Sequence, residues 1–204
     1  MITNKQPFNM IFAGVGGQGN VIASKLTALA AVDAGLRVNV GETFGASQRG
    51  GTVMSHVRVY QGDRTLGPLI PSGQAHLIIG FEPLDTLRIL LAYGNRETTV
   101  IVNNRPVYPL NVLAGEADYP NVEEIMKTMG GMVEDLRVIQ ATDLAFKAGS
   151  ALSTNIVMVG ALAGLKCLPI TAELFENCIS GFFRPQHREL NITAFRLGLQ
   201  AVSN

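Results

Sequence analysis

A glycine-rich run near the start of the chain could bind a phosphate group. Gly14, Gly16 and Gly19 have the spacing G-x-G-x-x-G, with Gly17 and Gln18 between the last two glycines. Glycines allow a tight turn and a close approach of backbone N–H groups, and the N-terminus of a following helix adds about half a positive charge. The pattern therefore predicts a site for a phosphate-bearing ligand. The other interpretation is that these glycines only let a strand and a helix pack closely.

A second loop could also bind an anion, because Arg49 is followed directly by Gly50 and Gly51. A guanidinium beside two glycines can meet an anion with its side chain and with backbone amides together. Ser47 and Gln48 could add hydrogen bonds. The loop follows the second predicted strand, so we expect it at the same edge of the sheet as the first glycine loop. The alternative interpretation is a solvated turn.

Glu42 raises the possibility of a nicotinamide dinucleotide, since it ends the second predicted strand about 20 residues past Gly19, where such folds place a ribose-binding acid. The length of the chain argues against a complete dehydrogenase, because a dinucleotide-binding half would occupy most of its 204 residues. The histidines, His56, His76 and His187, are widely spaced and are interpreted as structural. No catalytic residue and no metal ligand is predicted in this chain.

The elements that must position these loops alternate between strand and helix. Apolar residues 8–13 predict a strand, residues 20–34 a helix and residues 36–42 a second strand, expected to be parallel to the first with a right-handed crossover. Residues 106–120 contain several prolines and predict an irregular connection. The alternation continues in strands 53–60, 76–81, 98–102 and 138–141, and in helices 83–93 and 122–129.

Beyond residue 142 the pattern is helical. Residues 152–165 are apolar almost all round, which favours a core helix over a subunit contact, residues 174–182 carry one apolar stripe, and residues 188–202 close the chain as a helix. The predicted fold class is α/β: a three-layer Rossmann-like domain with a mostly parallel sheet and a helical C-terminal segment. One domain is expected over residues 1–204. Glu82 and Asn103 end predicted strands, where we favour structural hydrogen bonding over contact with a ligand or partner.

Composition narrows the possible partners. Sixteen basic and sixteen acidic residues give a net charge of zero, so neither nucleic acid nor a membrane surface is expected to bind. Charged residues make up 16% of the chain, against roughly 25% in ordinary soluble domains. This low fraction favours a subunit that hides one face in a partner. The two cysteines cannot hold an iron–sulfur cluster, and the apolar runs are too short to span a membrane, so we expect a cytoplasmic protein.

Longer motifs carry a family resemblance over nearly the whole chain. They are GVGGQGNVIASKLTALAAVDAG, GETFGASQRGGTVMSHVRV, GFEPLDTLR and VIVNNRPV, followed by ATDLA, by Asn155 ahead of VGALAGL, and by ELNITAF. In this order they resemble the gamma subunit or domain of 2-oxoacid:ferredoxin oxidoreductases. The SQRGG form and the length of the chain are most similar to the beta subunit of the indolepyruvate-specific members.

The resemblance implies a function for the whole complex rather than for this chain alone. Such enzymes decarboxylate a 2-oxo acid on thiamine diphosphate, pass electrons through iron–sulfur clusters to ferredoxin and release an acyl-coenzyme A. By resemblance, thiamine diphosphate, Mg²⁺ and the clusters belong to a larger partner subunit. The gamma domain is associated with coenzyme A. The residues expected to bind coenzyme A are Gly14, Gly16, Gly17, Gln18, Gly19, Arg49, Gly50 and Gly51, which leaves Glu42 without a ribose role.

Two other functions stay open at this point. The glycine loop could belong to a regulatory or adaptor module that binds NAD or an adenine nucleotide. The chain could also be a small flavin or NAD reductase that works alone. The leading interpretation is an oxidoreductase subunit, acting on indolepyruvate or another aryl 2-oxo acid and inactive without its partner.

Overall fold

A computed structural model describes residues 7–44, 52–63 and 66–202, and their centre is a six-stranded sheet. The strands are β1 (Phe8–Val15), β2 (Arg37–Phe44), β3 (Thr52–Tyr60), β4 (Leu77–Gly80), β5 (Thr99–Asn103) and β6 (Asp135–Ile139). The helices are α1 (Asn20–Asp33), α2 (Pro83–Tyr93), α3 (Leu110–Leu113), α4 (Val122–Met132), α5 (Ala141–Ala148), α6 (Thr154–Gly164), α7 (Ala172–Phe182) and α8 (Pro185–Ala201), with a 3₁₀ turn at Ala151–Ser153 before α6.

The sheet is mostly parallel, with the strand order β2-β3-β1-β4-β5-β6. Strands β1, β4, β5 and β6 pair in parallel, whereas β3 is antiparallel to both β1 and β2. The first and second strands therefore run in the same direction, as predicted, but they are not neighbours. The physical reason is that β3 follows β2 after a short loop, which suffices for antiparallel pairing, and then fills the place beside β1.

Helices cover both faces of the sheet, which confirms the predicted three-layer α/β class. Helices α1 and α5–α8 pack on one face against Phe12, Ile79 and Ile101. Helices α2 and α4 pack on the other face against side chains that include Ile78 and Val100. Because successive strand residues point to opposite faces, Ile78 and Ile79 belong to different cores. Central strands buried on both faces explain the near-continuous apolar runs in the sequence.

Helix α6 is a core helix, as its apolar sequence predicted. It packs closely against α8, and glycines form the contact on both sides. A Cβ atom at Gly160 would lie 2.0 Å from the backbone oxygen of Phe195, and one at Gly198 would lie 1.9 Å from that of Val157. The two backbones therefore touch, and this close contact fixes α6 against α8.

Several boundaries differ from the predictions by two or three residues. The last strand spans Asp135–Ile139 rather than residues 138–141, because an edge strand with half-exposed side chains has a weak apolar signal. Helix α5 then begins at Ala141. None of the helices in the described part of the chain combines the length and the apolar character needed to cross a bilayer.

Candidate functional site

The glycine loop joins the end of β1 to the start of α1 at the carboxyl edge of the sheet. Gly17 and Gly19 have φ angles of +98° and +80°, in the left-handed region that favours glycine. A Cβ atom at Gly14 would lie 2.5 Å from the Oε1 atom of Gln18 and 2.8 Å from the Cβ atom of Phe81. The loop thus needs glycine for two reasons, its backbone conformation and its close contact with the neighbouring strand.

Gln18 holds this loop rather than reaching out of it. Its Oε1 atom accepts from the Val15 N–H at 2.7 Å, and its Nε2 atom donates to the Phe81 backbone oxygen at 3.2 Å. The side chain therefore fastens the loop to the ends of β1 and β4. Gly17, Gln18 and Gly19 line a cavity, whereas Gly14 is buried inside β1.

That cavity, which we call the edge cavity, has a volume of about 630 Å³. It lies between the glycine loop, the end of β5 and the helices of the C-terminal half. Its lining residues are Gly17, Gln18, Gly19, Ile22, Asn103, Arg105, Pro106, Val107, Thr142, Ser150, Ala151, Leu152, Ser153, Thr154, Asn155, Phe183, His187, Leu190 and Asn191.

The N-termini of α1, α6 and α8 all open into the edge cavity. Residues 17–19 precede α1, residues 153–155 begin α6, and His187 lies in the first turn of α8. None of these three helices has a hydrogen bond from its N-cap side chain, and neither do α3 and α5, whereas α2, α4 and α7 each have one. Some N–H groups of these ends already have partners, since the Thr154 N–H donates to the Ala151 oxygen and the His187 N–H donates to the Arg184 oxygen at 2.9 Å. Helix N-termini carry partial positive charge, so this arrangement suits an anionic ligand.

The ionisable side chains of the edge cavity also favour an anionic ligand. Arg105 and His187 line it, and no Asp or Glu is among its described lining residues. Arg105 lies 4.0 Å from Asp143, a long ion pair in which both side chains are more than half exposed. Such a pair is weak, so the guanidinium is available to a ligand.

Asn155 connects two of the helix ends. Its Nδ2 atom donates to the Gly19 backbone oxygen at 3.4 Å, and its Oδ1 atom accepts from the Ile156 N–H at 2.9 Å. A Cβ atom at Gly19 would lie 2.6 Å from that Nδ2 atom. Asn155 was part of a family motif, but the sequence did not assign it to the site. Arg105 and His187 were also missed, although Arg105 lies in the quoted VIVNNRPV motif just after a strand.

Arg49, Gly50 and Gly51 lie outside the described residues, so their proposed contact with an anion stays a prediction. The strands on either side of that loop are described. Thr52, the first residue of β3, pairs with Val15 at the end of β1, and the Asn20 side chain donates to the Val53 backbone oxygen at 2.7 Å. The strand that follows the loop therefore begins beside the glycine loop.

Glu42 is not beside the glycine loop. It pairs with Ser55 of β3, which in turn pairs with Phe12 of β1. Two strand spacings of about 4.8 Å separate β2 from β1, so Glu42 lies about 10 Å away from β1. This position does not suit the ribose-binding acid of a dinucleotide fold, and it argues against the NAD interpretation.

The other histidines are structural. The Nδ1 atom of His76 accepts from the Asn9 N–H at 2.9 Å, and that of His56 accepts from the Ile70 N–H at 3.3 Å. Burial and the nearby Arg58 charge lower the pKa of His56, which keeps it neutral near pH 7. These contacts agree with the structural interpretation for His56 and His76, whereas His187 lines the edge cavity.

Asn103 and Glu82 both make structural hydrogen bonds, as favoured from the sequence. Asn103 donates to the Phe81 backbone oxygen at 3.3 Å and to the Thr142 hydroxyl at 3.1 Å. Glu82 caps α2 by accepting from the Asp85 N–H at 2.8 Å. It is 2% exposed, and burial raises the pKa of its carboxyl above the ordinary value, although hydrogen bonds from Tyr119 and Asp85 oppose the shift.

Glu82 also lines a second cavity of about 390 Å³, which we call the side cavity. It lies next to the edge cavity, and Val107 lines both. The remaining lining residues of the side cavity are Val15, Leu84, Asp85, Arg88, Tyr108, Pro109, Leu110, Asn111 and Tyr119.

Neither cysteine is an activated thiol. Burial raises the pKa of Cys167 to about 11, and burial together with the Asp33 carboxylate raises that of Cys178 to about 11. Across residues 7–44, 52–63 and 66–202, no group of His, Cys, Asp and Glu side chains could hold a metal ion. The described site therefore suits anion binding, through the partial positive charge of the helix N-termini and the Arg105 guanidinium.

Comparison with known proteins defines the class. The family model for pyruvate ferredoxin/flavodoxin oxidoreductase matches residues 9–201, so the chain belongs to this family and the resemblance is confirmed. The indolepyruvate oxidoreductase subunit IorB of Archaeoglobus fulgidus is 40% identical over 196 residues, which are 96% of either chain. Relatives of nearly the same length are named as oxidoreductase subunits, which confirms the expectation of a subunit rather than a complete enzyme.

Solved structures show the same fold. The pyruvate oxidoreductase subunit PORC of Thermotoga maritima has a TM-score of 0.71 at 22% identity, covering 96% of this chain and 97% of its own. The 2-oxoglutarate:ferredoxin oxidoreductase of Magnetococcus marinus, solved with 2-oxoglutarate, coenzyme A and succinyl-CoA bound, has a TM-score of 0.73 at 22% identity. That match covers 98% of this chain and 31% of the larger protein.

Proposed function

We propose that this chain is the small subunit of a heteromeric 2-oxoacid:ferredoxin oxidoreductase that acts on indolepyruvate or another aryl 2-oxo acid. In that complex it helps to bind or admit coenzyme A during oxidative decarboxylation to the acyl-coenzyme A. The substrate class is supported by the similarity to indolepyruvate oxidoreductase subunits, which extends over nearly the full length.

The observation that carries the coenzyme A role is the edge cavity. Coenzyme A bears phosphate groups on an adenosine, joined to a long, weakly polar arm that ends in a thiol. Uncapped helix ends and Arg105 suit the phosphates, and Ile22, Leu152 and Leu190 supply apolar surface for the remainder. The volume of about 630 Å³ is within the range of roughly 300–1,000 Å³ typical of ligand pockets.

The remaining chemistry belongs to a partner. Thiamine diphosphate with Mg²⁺ would supply the decarboxylation and iron–sulfur clusters the transfer of electrons to ferredoxin. The two cysteines of this chain are fewer than the four ligands that a cluster takes. We therefore propose a larger subunit that carries these groups, and this chain contributes the edge cavity, where coenzyme A binds or enters.

The test is a coenzyme A titration of the co-expressed complex with Arg105 changed to Gln. A charge-assisted contact contributes about 1.5–3 kcal/mol, so the dissociation constant should rise about tenfold to a hundredfold. Arg96→Gln is the matched control, because Arg96 precedes the same strand at the opposite sheet edge, in an exposed ion pair with Glu134. It should leave the affinity unchanged.

Two outcomes would contradict the proposal. Equal coenzyme A affinity in the Arg105→Gln and wild-type complexes would remove the guanidinium from the site. A complex whose turnover with arylpyruvates does not depend on coenzyme A would remove the role altogether. Tight binding of NAD by the chain without a partner would instead favour the regulatory-module alternative.

A further inference from the structure

The connection between β5 and α4, residues 104–121, forms the wall between the edge cavity and the side cavity. Every residue in it is at least partly exposed, so little side-chain burial fixes its position, although the Asn104 N–H donates to the Ile139 oxygen at 2.9 Å at its start. The backbone hydrogen bonds of α3 within it are local, such as that from the Leu113 N–H to the Pro109 oxygen at 3.0 Å. Its placement therefore depends strongly on contacts to the rest of the fold.

Glu82 makes two of those contacts from its buried position at the end of β4. Its Oε1 atom accepts a hydrogen bond from the Tyr119 hydroxyl, near the end of the connection. The same oxygen lies 3.5 Å from the Val107 nitrogen, near the start of the connection, in a long hydrogen bond. One carboxylate oxygen thus holds both ends of the wall, and the Tyr119 ring packs edge-on against that of Tyr108.

The residue type at this cap agrees with such a role. Helix N-caps are usually Ser, Thr, Asp or Asn, whose short side chains suffice to accept from the first turn. Glu82 caps α2 with its Oε2 atom and still extends Oε1 to Tyr119. An aspartate would retain the cap but would be one methylene too short to hold Tyr119 as well.

The wall matters because Arg105 precedes Val107 by two residues, and both line the edge cavity. We infer that Glu82 is a positioning residue: through Tyr119 and Val107 it holds the connection so that Arg105 faces the edge cavity. This inference rests on the proposed coenzyme A function. Glu82 does not line the edge cavity, so it would act on the ligand only through the connection.

The test compares Tyr119→Phe and Glu82→Asp with Tyr108→Phe in the co-expressed complex. The first two are the anchor variants: Tyr119→Phe removes the Tyr119 contact and keeps the ring, whereas Glu82→Asp withdraws the carboxylate from both Tyr119 and Val107 and keeps the helix cap. Each should raise the KM for coenzyme A about tenfold, as small displacements of a binding group do, and leave kcat and the KM for the oxo acid unchanged. Tyr108→Phe removes a hydroxyl from the neighbouring ring, leaves both Glu82 contacts in place and should match the wild type.

Two further measurements separate this inference from the function on which it rests. Amide hydrogen exchange across residues 104–121 should accelerate in Tyr119→Phe and Glu82→Asp but not in Tyr108→Phe. The double variant of Tyr119 and Glu82 should have the same KM for coenzyme A as Glu82→Asp alone, because Glu82→Asp already removes the contact that Tyr119→Phe removes.

The outcomes are then distinct. Wild-type exchange across residues 104–121 in both anchor variants would overturn the inference. It would also be overturned if Arg105→Gln raised the KM for coenzyme A while both anchor variants left it unchanged. Faster exchange in both anchor variants, with an unchanged KM for coenzyme A in these two and in Arg105→Gln, would support the anchor and overturn the coenzyme A role of the edge cavity.

Discussion

Gly19→Ala is the variant that best tests how the glycine loop is built. Gly19 has a φ angle of +80°, and Gly35, at the other end of α1, has a φ angle of +77°. Alanine at either position meets the same left-handed strain, about 1–2 kcal/mol. The two sites differ in their surroundings: an added Cβ atom would lie 2.6 Å from the Asn155 Nδ2 atom at Gly19, but would meet nothing within 4 Å at Gly35.

The difference between the two variants isolates the Asn155 contact. To accommodate the methyl group, Asn155 must move, which weakens its hydrogen bonds to the Gly19 oxygen and the Ile156 N–H. At about 0.5–1.5 kcal/mol for each hydrogen bond, the extra destabilisation is about 1–3 kcal/mol. For a chain of this size that lowers the Tm by roughly 2–12 °C more than Gly35→Ala does.

Ligand affinity supplies the second readout. Asn155 lines the edge cavity at the start of α6, so Gly19→Ala should also weaken coenzyme A binding to the complex, by about tenfold. Gly35 lies beyond the far end of α1, and Gly35→Ala should leave that affinity unchanged. Both quantities are measured on the co-purified complex, by thermal unfolding and by calorimetric titration. If Gly19→Ala equals Gly35→Ala in both, the described packing of Asn155 on the loop is wrong.

Further predictions concern stability. Gly198→Ala should prevent the close packing of α6 and α8 and sharply lower the melting temperature of the complex, because its Cβ atom would lie 1.9 Å from the Val157 oxygen. Gly181→Ala is the control: its Cβ atom would meet nothing within 4 Å, so the melting temperature should not fall in this way. Equal melting temperatures would contradict that packing. Since burial raises the pKa of Glu82, the folded chain takes up this proton before the unfolded chain does as the pH falls. The wild type should therefore gain stability relative to Glu82→Gln between pH 7 and pH 5 in melting curves, and a constant difference would refute the shift.

Much of the fold could be predicted from local sequence. The helix Pro83–Tyr93 was predicted with its observed bounds, because a proline at its start and a glycine after it mark both ends. The glycine loop was also found between a strand and a helix, since its glycines follow an apolar run. These features depend on neighbours within a few residues, so the sequence alone is enough to predict them.

The sequence could not show which distant residues face the glycine loop and complete the candidate site. Placement of β3 between β1 and β2 moved Glu42 away from the glycine loop, and that placement depends on strand pairing over long separations. The edge cavity is lined by helix ends far apart in the chain, together with Arg105 and His187, and only packing brings them together. The sequence by itself determined the loop and the family, whereas the tertiary structure decided what faces the loop, because each of those contacts depends on how the whole core is packed.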